Sequence, residues 1–155
     1  MSSEFFSPTA YNGTKEFNQN DINTANATGF GAAADDYAER GIDLNEQLIM
    51  NKPATYFFRM NSEAMLDVGI YAGDVLIVDR SITIATEKII VAAINGTLMV
   101  RRYKQTQNNS WLEPANKRFA DIILDKNVPL KVWGVVTCVI HIIDAALIAF
   151  NNPKK

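Results

Sequence analysis

Ile89-Ile-Val-Ala-Ala-Ile-Asn95-Gly96-Thr-Leu-Met-Val-Arg-Arg-Tyr103 is the stretch that decides the fold. Two runs rich in β-branched and apolar residues flank Asn95-Gly96. That dipeptide readily adopts the left-handed backbone of a two-residue hairpin turn, so the stretch reads as a β-hairpin. Outward from it lie more runs of the same kind: Thr55-Tyr-Phe-Phe-Arg-Met, Val75-Leu-Ile-Val and the long Val132–Ile143 segment. Ala72-Gly73-Asp74 marks a further turn. One helix is expected, with Asp43 as capping residue and Leu44, Leu48 and Ile49 on a shared face. Short strands, frequent turns and one helix predict a mainly β fold of packed, curled sheets.

Length and composition set the bounds. At 155 residues the chain accommodates one domain with one core. Apolar residues make up 48% and charged residues 21%, the balance of an ordinary globular protein. A net charge of −2 gives no footprint for direct nucleic-acid binding. The only basic cluster, Arg101-Arg102-Tyr103-Lys104, reads as the exposed face of a strand rather than a phosphate site. The single cysteine, Cys138, excludes an intrachain disulfide and suits a reducing cytoplasm. Its apolar surroundings predict a small buried side chain. One His and one Cys do not make a metal site, and no cofactor motif is present. No signal peptide is read at the start. The apolar run Val132–Phe150 contains His141 and Asp144 and begins like a strand, so no membrane span is expected.

The first 40 residues differ in kind. They are rich in Ser, Thr, Asn and Gly, and Phe5, Phe6, Tyr11, Phe17 and Phe30 follow no period. A flexible arm is expected for residues 1–40, a β domain for 41–150 and a frayed tail for 151–155. The arm is too short and irregular for a helix-turn-helix domain.

Several stretches carry a family resemblance. They are Gly29-Phe-Gly-Ala-Ala-Ala-Asp-Asp-Tyr37 with Ile42-Asp-Leu-Asn45, then Met65 to Asp79, then Ile89 to Tyr103, and finally Trp133-Gly-Val-Val136. Together they resemble UmuD-like members of the LexA/UmuD family of self-cleaving serine peptidases, over about three quarters of the chain. In that family a serine attacks a peptide bond before a glycine of the arm, and a neutral lysine takes the proton. The Gly-Asp-Ser-Met motif of the family is matched here by Ser62-Glu63-Ala64-Met65, and the lysine position by Arg101. The cleavage-site equivalent is Thr28–Gly29, where the β-branched threonine replaces a smaller residue.

On this reading both catalytic positions are degenerate. Alanine has no nucleophilic atom, and a guanidinium stays protonated in proteins. Losing a member of such a unit costs roughly 10⁴–10⁶-fold in rate. Ser62 is no replacement: it would lie about 6–7 Å away along a strand and is expected to hydrogen-bond its own turn. Lys88 and Lys104 read as solvated charges, and Glu63 and Asp67 as carboxylates flanking a turn.

The resemblance implies a catalytically inactive accessory subunit that regulates translesion synthesis and SOS mutagenesis by protein–protein binding. The implied partners are a second copy or an active UmuD relative, a Y-family polymerase of the UmuC type, the RecA filament and the sliding clamp. Two alternatives stand beside it. One is a RecA-stimulated self-cleaving peptidase carrying introduced inactivating substitutions. The other is a decoy regulator of SOS factors. The apolar Ala145–Phe150 segment is either an association surface or an extra packed element.

Overall fold

The computed structural model describes residues 9–10, 42–144 and 146–147. Thr28 and Gly29 lie outside the described residues, as do most of the expected arm and the tail. Within the described residues the fold is mainly β. The strands are β1 (Thr9–Ala10), β2 (Thr55–Arg59), β3 (Val75–Asp79), β4 (Ile89–Ile94), β5 (Thr97–Gln105), β6 (Ser110–Glu113), β7 (Ile122–Leu124) and β8 (Leu130–Ile140). They form one sheet in the order β1-β2-β3-β8-β4-β5-β6-β7, and every pairing is antiparallel.

The last strand is the spine of this sheet. Its second half pairs with β3, from Val135 opposite Asp79 to Ile140 opposite Val75. Its first half pairs with β4, from Leu130 opposite Ile94 to Val135 opposite Ile90. Register shifts skip Trp133 in the β4 ladder and Thr137 in the β3 ladder. Extra residues of this kind bend a strand and increase its twist. One wing, β1-β2-β3, therefore joins the other, β4-β5-β6-β7, across an irregular strand. Gly134 sits between the two irregularities because nothing larger fits. A Cβ there would lie 2.8 Å from Val78 Cγ1 and 2.9 Å from the Asp79 carbonyl oxygen.

The pleat of β4 explains its continuous apolar run. Val91 enters one core with Phe58, Met60, Met65, Leu76, Val78 and Val100. Ile90, Ala92 and Ile94 enter a second core with Tyr103, Leu112 and Val135. A strand covered on both faces needs apolar residues at consecutive positions. The first core draws side chains from both wings, so the sheet closes over it. The hairpin forms as expected: Asn95 (φ 51°) and Gly96 (φ 81°) both occupy the left-handed region. A two-residue loop with positive φ at both positions matches the twist of its flanking strands.

Helix α1 (Leu44–Leu48) starts at Asp43, whose carboxylate accepts from the Asn45 N–H at 3.0 Å. Leu44 departs from expectation, being 63% exposed, and only Ile49 just after the helix is buried. Cys138 is half-buried rather than buried, because it lies past the closely packed middle of β8. The basic cluster is not a uniformly exposed face either. The pleat buries Arg101 and Tyr103, while Arg102 and Lys104 pair with Glu87 and Glu113. Of the segment Ala145–Phe150, only Ala146 and Leu147 are described, in a helical turn. Among the described residues no helix is long and apolar enough to cross a membrane.

Candidate functional site

After β2 the chain passes through Met60 into the turn that carries Ser62-Glu63-Ala64-Met65. The Ser62 hydroxyl oxygen accepts the Ala64 N–H at 3.1 Å, so it closes its own turn as expected. Ala64 and Met65 are fully buried, and the chain then tightens into a 3-10 turn, Leu66–Val68, ended by Gly69 at φ 84°. Glycine adopts that conformation without the steric cost that a Cβ would add.

A loop between β6 and β7 holds this turn from the side. The Ala115 N–H donates to the Ala64 carbonyl at 2.8 Å, and the Ala115 carbonyl accepts from the Asp67 N–H at 2.8 Å. Asn116 donates from Nδ2 to the Glu63 carbonyl at 2.7 Å, and Arg118 pairs with the Glu63 carboxylate. Glu63 and Asp67 therefore serve separate partners: Glu63 through its side chain and carbonyl, Asp67 through its main-chain N–H. Sequence reading did not single out Ala115, Asn116, Arg118 or Phe119. Ala115, Asn116 and Arg118 have partners among residues 63–67 and Phe119 meets Arg101, and no local pattern announces them.

Arg101 reaches the same loop from β5, where it stands opposite Ile90. It is 5% exposed. Its Nη1 donates to the Val100 carbonyl at 2.7 Å, and the guanidinium carbon lies 5.6 Å from the Phe119 ring centre. Phe119 also packs against the core that contains Ala64, Val100 and Ala115. Ala64 and Arg101, 37 positions apart in the chain, thus flank one loop. Beside them opens a cavity of about 490 Å³, lined by Asp67, Val68, Ala115 and Phe119 with Arg102 and Lys117 among its polar residues.

The chemistry available at these positions is limited. Ala64 offers a methyl group and a backbone amide already engaged by Ser62. Arg101 offers donors only, since a guanidinium has no acceptor. Lys104 pairs with Glu87, and the main chain of Lys88 belongs to the turn before β4. Glu87 itself is held below the usual glutamate range, first by its hydrogen bond with Lys104, which outweighs an opposing effect of desolvation, and further by the charges of Lys104 and Arg102. Among the described residues no three His, Cys, Asp or Glu side chains cluster as metal ligands.

Comparison with known proteins agrees with this architecture. The Peptidase S24-like family matches residues 22–137. Protein MucA of Salmonella typhimurium is 37% identical over 112 residues, covering 72% of this chain and 76% of its own. Protein ImpA of Escherichia coli is 36% identical over 115 residues, 73% of this chain and 77% of its own. A LexA repressor from Acidithiobacillus ferrooxidans is 32% identical over 119 residues, 75% of this chain and 58% of its own. The chain belongs to the Peptidase S24-like family, the LexA/UmuD grouping to which its motifs pointed.

Proposed function

We propose that this chain is a catalytically inactive, UmuD-like accessory subunit that regulates translesion DNA synthesis through protein–protein binding in the cytoplasm. The observation that carries this reading is the pair of residues at the dyad positions. Ala64 is fully buried and holds no heteroatom in its side chain. Arg101 is buried under Phe119 and donates to a backbone carbonyl. A base must accept a proton, and this side chain can only give one. The rest of the fold is packed and hydrogen-bonded without any contribution from a dyad. Binding surfaces persist when catalysis is lost, because function resides in sites rather than in the fold. The kinship with MucA and ImpA supports a place in SOS mutagenesis. The partners are a second copy or an active UmuD relative, a UmuC-type polymerase, and the RecA filament or sliding clamp.

Intact mass tests the proposal. The purified chain, incubated with RecA, ATP and single-stranded DNA, is expected to keep its full mass. Mixed with an active UmuD relative, it either stays whole, as a full-length binding subunit, or is cut at Thr28–Gly29 as a substrate in trans. Cleavage of the chain alone would return it to the enzymes. Ala64→Ser by itself is expected to leave the chain uncut, because Arg101 still supplies no base. A cut produced by that single change would refute the role given to Arg101.

A further inference from the structure

The turn between β4 and β5 exposes two groups that react with each other. Asn95 and Gly96 are both exposed, and a Cβ at Gly96 would meet no atom within 4 Å. Ile94 stands opposite Thr97, so the bonds that close the turn belong to those two residues. Among the described residues no backbone carbonyl takes the Gly96 N–H, and no hydrogen bond holds the Asn95 carboxamide. Asn116 is the contrast. Its carboxamide donates to the Glu63 carbonyl at 2.7 Å and accepts the Arg118 N–H at 3.0 Å, and a lysine follows it. Asn95 is followed by the one residue type that puts no side chain beside the next backbone nitrogen. Among the described residues it is the only asparagine placed before a glycine.

We propose that Asn95 is a self-modification site, which loses its side-chain amide as ammonia in the folded chain with water as the only co-reactant. The Gly96 nitrogen attacks Cγ of Asn95. A C–N bond forms, the bond from Cγ to the amide nitrogen breaks, and the Gly96 proton leaves with that nitrogen as ammonia. Water then opens the resulting succinimide ring at either carbonyl. Breaking the new bond at Cγ yields aspartate. Breaking the original peptide bond yields isoaspartate, in which the main chain runs through Cβ. The two products differ in what they do to the hairpin. Aspartate tolerates the left-handed backbone that Asn95 holds at φ 51°, so the turn survives with one more negative charge. Isoaspartate adds a backbone atom to a two-residue loop whose length fixes the register of both strands. β5 carries Val100 into the first core and Arg101 to Phe119, so the isoaspartyl form strains the strand that positions both.

Timed incubation of the full-length chain at neutral pH, followed by peptide mapping with electron-transfer fragmentation, tests this. Conversion is expected at Asn95 and not at Asn116. An intact Asn95 over a period in which a free peptide of residues 89–103 converts completely would overturn the site. Leu76→Ala weakens the first core from β3, away from the turn, and should leave the rate at Asn95 unchanged. A rate that rises in step with the unfolded fraction of this variant would overturn reaction in the folded chain. The two products, separated by chromatography, are then unfolded in urea. The aspartyl form should keep the midpoint of the parent, and the isoaspartyl form should fall below it. An isoaspartyl form as stable as the parent would overturn the consequence for the hairpin. None of these outcomes depends on catalysis at Ala64 and Arg101.

Discussion

Gly134 and His141 each hold a position that admits no neutral replacement. A methyl group on Gly134 meets Val78 Cγ1 and the backbone of Asp79, and backbone cannot rotate away. Gly134→Ala is expected to destabilise by about 1–3 kcal/mol, the usual cost of overpacking. Urea denaturation of parent and variant measures it, and an unchanged midpoint would contradict the packing described for β8. His141 acts through a contact. Its Nδ1 lies 2.5 Å from Oδ1 of Asp74, a carboxylate buried beside the turn before β3. The other oxygen, Oδ2, accepts from the Tyr71 N–H at 2.8 Å. Removing His141 leaves one carboxylate oxygen without that partner. His141→Ala should cost about 1–2 kcal/mol, at the lower end for an unsatisfied group because the imidazole is half-exposed. Ala64 and Arg101, the proposed dyad equivalents, could be named from the sequence because a linear motif brackets Ala64 and a strand pattern brackets Arg101. The Asp74–His141 contact could not, since it joins residues 67 positions apart and depends on β8 ending beside that turn.

At the scale of elements, the hairpin turn and the Glu87 corner make separable predictions. Gly96→Val places a β-branched side chain at φ 81° and is expected to cost about 1–2 kcal/mol. Thermal unfolding would show it as a lower midpoint with no change in the ladder. Glu87 joins the end of the β4–β5 hairpin to Lys104 and Arg102. Its acidity is strengthened in the folded state, so its contribution to stability is present above the carboxylate range. That contribution is lost as pH falls through the lowered folded value. The stability difference between the parent and Glu87→Gln is therefore expected to be small at neutral pH and to vanish in acid. A gap that widened on acidification would have the wrong sign. The central strands were readable because they are buried on one or both faces and carry β-branched runs. β6 and β7 were not, being only four and three residues long and set among polar neighbours. β1 is shorter still, and its pairing is a long-range event with no local signature.

For the whole molecule, the two cores and the shared spine imply cooperative unfolding. The first core takes Phe58 and Leu76 from one wing, and Val91 and Val100 from the other. Neither wing can leave without opening it. Two variants with one tryptophan each, Trp111→Phe and Trp133→Phe, would report from β8 and from β6 respectively. Their urea transitions should coincide with each other and with the loss of β structure. Leu112→Ala, which strikes only the second core, should lower the shared midpoint, for a loss of about 2–5 kcal/mol in stability, rather than create a separate step. Two resolved transitions would mean that β8 links wings that fold independently.

The two skipped positions of β8 also bear on which changes of chain length the molecule can survive. Along most of a strand, losing one residue reverses every side chain beyond the lesion, turning the core outward. Trp133 and Thr137 are exceptions in geometry, because each already stands outside one ladder's count. They differ in consequence: Trp133 contributes its ring to the packing around Tyr56 and Phe58, whereas Thr137 is exposed. A one-residue deletion at Thr137 brings the β3 ladder back into phase with Val136 and Cys138 still opposite Val78 and Ile77, while the same deletion at Val136 keeps that phase only by moving Thr137 into the slot opposite Val78. Descent within such a lineage would therefore accept gaps in β8 at a single place, where the strand already keeps a spare residue.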